Sequence, residues 1–212
     1  TSRRGLITLN DLYGDRFILG LGVSHPPMVE GMRGHHYEKP VPAMRAYLDG
    51  ICKGEPGSDD WPIVIAALGP LMLKLAAEKT RGAVPYNTNP RHTAEAAKIL
   101  GPGKWLAIEQ KVTLETDAAK ARALGREALA RYLTLDNYRN NFLRIGYTEA
   151  DLANGGSDRF IDAMVLWGGA AKVKNELRAH FTAGATHVCI QPVHAEGDTT
   201  ARDRTLAELA DT

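Results

Sequence analysis

The chain has 212 residues, 44% of them hydrophobic and 24% charged, which suits one soluble domain with a sizeable core. A formal net charge of +1 gives no electrostatic case for nucleic acid or an anionic membrane. No apolar run approaches a membrane span, Thr1-Ser-Arg-Arg lacks the apolar core of a signal peptide, and Cys52 and Cys189 read as free, buried thiols of a reducing cytoplasm.

Residues 1–15 read as a short helix or an irregular entry, with Leu6, Leu9 and Leu12 at helical spacing. The run Phe17-Ile18-Leu19 opens a strand over about 16–23, of the kind buried on both faces. It ends in Gly20-x-Gly22, Val23 and the polar pair Ser24-His25, and Pro26-Pro27 stops it. A proline-rich loop runs from His25 to Pro42, in the place where active-site loops follow a strand in α/β barrels. A helix follows near 41–52, its apolar stripe made by Val41, Met44, Tyr47, Leu48 and Ile51.

Pro62 to Ala67 is a second buried strand, and Leu68-Gly69-Pro70 leads straight into a helix ending at Lys79. Gly82 to Thr88 is a third strand, and Asn89-Pro90 starts the next helix. Trp105 to Leu114 is a longer strand, after which Thr116 caps an alanine-rich helix over 117–133. A helical insert occupies about 135–156. Ser157 then caps a helix reaching Trp167, a further helix spans Ala170 to Ala183, Thr186 to Val193 is the last strand, and a helix near 200–210 closes the chain. Five strands alternating with helices, without hairpin signals, imply parallel pairing and an α/β fold. It is either a doubly wound sheet or part of a (β/α)8 barrel.

Several segments leave chemistry open. Gly20 and Gly22 let a flat ligand approach the strand, or let a neighbouring helix pack closely. His25, with an ordinary pKa near ~6.5, can exchange a proton or cap the loop. Ala66, Ala67, Leu68 and Gly69 precede a helix start whose free N–H groups favour an anion, without the glycine density of a P-loop or Rossmann fingerprint. Asn87 and Thr88 can hold a ligand or cap a helix. His35-His36 with Glu38 lacks the spacing of a metal site, so no metal is expected, and no Gly-x-Ser-x-Gly elbow supports a hydrolase.

Taken in order, Gly14 to His25, Ile65 to Pro70 with Leu75-Ala-Ala-Glu78, Pro85 to Thr88, Asn137 to Asn141, Gly156 to Arg159 and Gly184 to Gln191 resemble the bacterial-luciferase-like superfamily. Its F420-dependent oxidoreductase branch is the most similar. The resemblance covers nearly the whole chain. It implies a single luciferase-like α/β domain over 1–212 of the (β/α)8 TIM-barrel family, here an incomplete barrel holding strands four to eight. The chain also begins without methionine, as a piece of a longer protein would.

The activity implied is hydride transfer between F420, or alternatively FMN, and an organic small molecule, by a cytoplasmic homodimer. The alternative is a truncated, non-catalytic remnant that binds a flavin or serves a structural role. The resemblance puts the cofactor against Gly20, Gly22, Val23 and Ser24, its phosphate-bearing tail against Ala66, Ala67, Leu68, Gly69, Asn87 and Thr88, and proton chemistry at His25.

Overall fold

A computed structural model describes residues 1–210. They fall into two compact units. One comprises Thr1–Val84 with Ile99–Trp105, the other Pro85–Lys98 with Leu106 onward.

In the first unit the elements are α1 (Ser2–Tyr13), β1 (Leu19–Leu21), α2 (Pro40–Cys52), β2 (Ile63–Ile65), α3 (Pro70–Lys79) and β3 (Gly82–Ala83). β2 pairs in parallel with β1, Leu19 opposite Ile63 and Leu21 opposite Ile65, and in parallel with β3. Ile63, Val64 and Ile65 are all buried, as expected of a central parallel strand. Met44, Leu48 and Ile51 form the buried stripe of α2, and Met72, Leu73, Leu75 and Ala76 that of α3. Gly82 is required by contact: a Cβ there would run into the Trp105 backbone.

The second unit contains α4 (Pro90–Leu100, whose last two residues belong to the first unit) and β4 (Trp105–Thr113, of which Trp105 belongs to the first). It continues through α5 (Ala118–Leu129), α6 (Asp136–Arg144), α7 (Glu149–Leu152), α8 (Asp158–Met164), β5 (Val165–Trp167), α9 (Ala170–Thr182), β6 (His187–Pro192) and α10 (Thr199–Leu209). β4 pairs in parallel with both β5 and β6. Val112, Leu114, Val173, Leu177 and Leu209 make the core under it. Ser157 caps α8 as expected, its hydroxyl accepting the Phe160 N–H at 3.2 Å.

The parallel pairings and the strand–helix alternation bear out the α/β fold. Several local expectations are corrected. Val165–Trp167 is a strand, not the end of the preceding helix, which stops at Met164. Three apolar residues carry no period of their own, and the partner Lys111–Thr113 decides their conformation. The third strand is only two residues long, because Pro85 cannot donate to a ladder and Asn87 turns to φ 54°. Asp117, not Thr116, caps α5, which ends at Leu129. The loop after β1 contains a π-helical turn, Pro27–Met32.

Burial also differs from expectation. Leu19 and Leu21 are only half-buried and Gly20 is exposed, because β1 pairs with β2 alone among the described residues. Cys189 is exposed and Cys52 half-buried. The alternating residues His187, Cys189 and Gln191 of β6 all face outward.

Candidate cofactor site

In the first unit, β1 and β2 deliver their C-terminal ends side by side, and the Ala66 N–H donates to the Leu21 carbonyl at 2.8 Å. Gly20 and Gly22 alternate onto one face and are exposed, as is Ala66. A Cβ on Gly22 would lie 3.4 Å from that of Ala66, whereas one on Gly20 would meet nothing within 4 Å. The result is a platform of backbone and methyl groups on which a planar group can lie. Leu21, Gly22 and Val23 join Val29, Tyr37, Met44 and Tyr47 around a cavity of about 320 Å³.

Ser24 sits at φ 61°, a conformation that costs a non-glycine residue, and its carbonyl accepts the Tyr37 hydroxyl at 3.3 Å. The His25 carbonyl accepts the N–H groups of Met28 and Val29, so this residue begins the π-helical turn. Ala67 is buried in the core, Leu68 is half-buried, and Gly69 is the N-cap of α3 with no side chain closing its first turn. The platform residues and the start of α3 therefore follow one another along adjacent strand ends. His35 and His36 are exposed on the loop, and His36 Nδ1 is 3.8 Å from Glu30.

In the second unit, Asn87 meets a group of polar residues on β4 to which no sequence motif points. On β4, Glu109 and Lys111 share one face, opposite Cys189 and Gln191 of β6. The Lys111 ammonium, 2% exposed, donates to Asn87 Oδ1 at 2.7 Å and to Glu109 Oε1 at 3.2 Å, and lies 4.0 Å from the centre of the Tyr86 ring. The Asn87 N–H donates to Glu109 Oε2 at 3.4 Å. The Tyr86 hydroxyl donates to Gln191 Oε1 at 2.7 Å, which leaves its oxygen to accept the Tyr132 hydroxyl at 3.2 Å. Tyr86, Lys111, Tyr132 and Gln191 line a cavity of about 320 Å³.

Burial sets the electrostatics here. Desolvation raises the Glu109 carboxyl above its ordinary range, and the nearby Lys111 only partly offsets this. Desolvation likewise lowers the Lys111 ammonium against the pull of Glu109. The Tyr86 phenol is driven far up, chiefly by burial, and that of Tyr138 to about 12. On the opposite face of β4, Gln110 donates to the carbonyls of Lys111 and Met164, which fixes its oxygen as the acceptor for His180 Nε2 at 2.9 Å. Thr93 meets His180 Nδ1 at 2.8 Å. Burial lowers the His180 pKa to about 4, so the ring is neutral.

No protein-family model matches the chain. Among curated proteins, it is 26% identical over an alignment of 256 residues to a provisionally named coenzyme F420-dependent oxidoreductase of Mycobacterium tuberculosis. The match covers 90% of this chain and 74% of the relative. Among solved structures, an F420-dependent secondary alcohol dehydrogenase in complex with an F420–acetone adduct superposes with a TM-score of 0.67 at 14% identity, over 99% of this chain and 74% of the other. The F420-dependent tetrahydromethanopterin reductase of Methanopyrus kandleri gives 0.64 at 17% identity, over 97% and 76%. The FMN-bound oxygenating constituent of the 3,6-diketocamphane monooxygenase of Pseudomonas putida gives 0.64 at 18% identity, over 100% and 75%.

The parallel pairings and the structural likenesses together define a parallel α/β protein of the barrel type. The mycobacterial relative adds the chemical class. The chain resembles the luciferase-like oxidoreductases, and within them the F420-dependent branch, as its own segments imply.

Proposed function

We propose that this enzyme transfers a hydride between F420 and an organic small molecule. The observation that carries the reading is the exposed platform of Gly20, Gly22 and Ala66 at the end of two parallel strands. Side chains there would hold a planar ring away from the backbone, and their absence admits it. The group, when bound, supplies the hydride chemistry; the protein binds and orients it and keeps water from the reacting face.

In this reading Gly20, Gly22, Val23 and Ser24 contact the ring, and the uncapped first turn of α3, preceded by Ala66, Ala67, Leu68 and Gly69, takes the phosphate. Asn87 and Thr88 offer donors to the same class of ligand. What supports a polar role is that Asn87 Nδ2 and Thr88 Oγ1 are fully buried and without a hydrogen-bond partner among the described residues. His25 exchanges the proton that accompanies hydride transfer at the substrate. A cytoplasmic homodimer completes the proposal.

FMN is the second reading, favoured by the FMN-bound monooxygenase that shares the fold. Titration of the purified protein separates the two. Quenching of F420 fluorescence without a response to FMN supports the first, the reverse supports the second, and silence toward both overturns the proposal. Gly22→Leu, which places a side chain on the platform, is expected to weaken binding at least tenfold.

A further inference from the structure

In the first unit, the loop after β1 folds back and is tied down through one residue. Tyr37 donates its N–H to Glu30 Oε1 at 3.1 Å and its hydroxyl to the Ser24 carbonyl at 3.3 Å. Ser24 turns the chain at φ 61°, and the π-helical turn begins on the His25 carbonyl. Held this way, the loop brings Val29 and Tyr37 around one cavity with Leu21 and Val23 of the strand end and Ala43, Met44 and Tyr47 of α2. Its volume of about 320 Å³ lies within the range of small-molecule sites.

The walls are largely apolar, and the hydroxyls in them are already engaged. The one proton of Tyr37 goes to Ser24, and the Tyr47 hydroxyl meets Ser2 Oγ at 2.8 Å. The ionisable side chains of the lining besides these phenols, His36 and Glu38, are exposed, and His36 faces Glu30 at 3.8 Å. No lysine or arginine is among the described residues that line the cavity. An entering anion meets the Glu38 carboxylate, and a charge of either sign leaves water for walls that do not replace its hydration. An apolar surface has the opposite balance: it gains by leaving water, and such a hollow holds water poorly.

Gly22 lines this cavity and also belongs to the platform at the ends of β1 and β2. An occupant of the cavity therefore ends beside whatever lies on the platform. We propose that the cavity seats the organic substrate, and that this substrate is an uncharged, largely apolar molecule. Leu21, Val23, Val29 and Met44 hold it by contact, with one end against Gly22. This rests on the cofactor reading above and adds to it the class of molecule that reacts there.

The test uses protein isotope-labelled at the methyl groups of its five methionines, where the signal lost in Met44→Leu reports the cavity wall. Cyclohexanol, cyclohexanecarboxylate and cyclohexylamine, the last protonated at neutral pH, share one ring and differ in charge. Cyclohexanol is expected to shift the Met44 signal saturably, and each charged analogue to bind at least about tenfold more weakly. Ala43→Trp fills the cavity from α2 and Val29→Phe fills it from the loop. Each is expected to weaken cyclohexanol at least about tenfold while keeping or raising the melting temperature. Bound F420 or FMN, which closes the Gly22 end, is expected to tighten cyclohexanol about fivefold.

A Met44 signal that ignores all three molecules would overturn the inference, as would equal affinity for the three. So would cyclohexanol binding that both filled variants keep, or a loss seen only together with a lowered melting temperature. A bound cofactor that leaves cyclohexanol affinity unchanged would separate cavity from platform and overturn it too. If wild-type protein binds neither F420 nor FMN, the cofactor reading fails and the substrate assignment falls with it. If either binds and Met44 stays silent, only the inference fails.

Discussion

The two regions that carry the proposed chemistry are built on opposite principles. At the ends of β1 and β2, the surface is made by leaving side chains out: Gly20, Gly22 and Ala66 expose backbone and a methyl group, and the nearest neighbour constrains only Gly22. On β4, the surface is made by packing polar side chains so tightly that Lys111, Glu109, Asn87 and Tyr86 share their hydrogen bonds. The first region can be changed with little effect on folding, since few contacts depend on it. The second is coupled to stability, because every charge in it has been taken out of water.

That contrast breaks most sharply at Glu109. Glu109→Ala leaves the Lys111 ammonium buried without its carboxylate and is expected to cost about 3–5 kcal/mol, measured by urea unfolding. Gly20→Ala, whose new methyl would meet nothing within 4 Å, is expected to change stability by less than about 0.5 kcal/mol. Comparable losses in the two variants would show that the regions are not built differently after all.

The next effect separates the two faces of β4. His180, behind the sheet, has a folded-state pKa of about 4 against about 6.5 in the unfolded chain. Between those values the unfolded chain binds more protons, so stability falls as pH drops from 6.5 toward 4, by about 3 kcal/mol in all. Urea midpoints measured across that window follow the slope, and His180→Gln is expected to flatten it. A slope unchanged in the variant would move the acid sensitivity to other groups.

The sequence makes these regions legible to different degrees. Gly20-x-Gly22, the Leu68-Gly69-Pro70 turn and the Asn87-Thr88 pair are local patterns, and local patterns mark strand ends and helix starts. Glu109 and Lys111 stand two apart on one strand, which places them on the same face. That spacing was a usable signal, but lysine is so rarely buried that a solvated face is the ordinary reading.

What a strand meets is not written in the strand itself. Phe17-Ile18-Leu19 has the composition of a doubly covered strand, yet β1 has one partner among the described residues and stays half open. Cys189 has apolar neighbours in sequence and is exposed for the same reason of pairing. Val165–Trp167 becomes a strand only because Lys111–Thr113 offers it a ladder.

The smallest expected effect sharpens the comparison further, because each region contains a non-glycine residue in the left-handed conformation at a strand end. Ser24 stands at φ 61° and Asn87 at φ 54°. Glycine adopts that backbone without the steric cost, so on conformation alone both Ser24→Gly and Asn87→Gly would gain up to about 1 kcal/mol. At Ser24 the Tyr37 hydroxyl donates to the backbone carbonyl, a bond that a glycine keeps. Ser24→Gly is therefore expected to leave the thermal midpoint unchanged or raise it slightly. At Asn87 the side-chain oxygen accepts from buried Lys111, and removing it withdraws a charge-assisted hydrogen bond of about 1.5–3 kcal/mol. That loss exceeds the conformational gain, so Asn87→Gly is expected to lower the midpoint. Thermal melts of the two variants side by side read the difference: opposite signs confirm that backbone geometry is incidental to folding in one region and held by buried charge in the other, while a shared rise would mean the Lys111 contact contributes little.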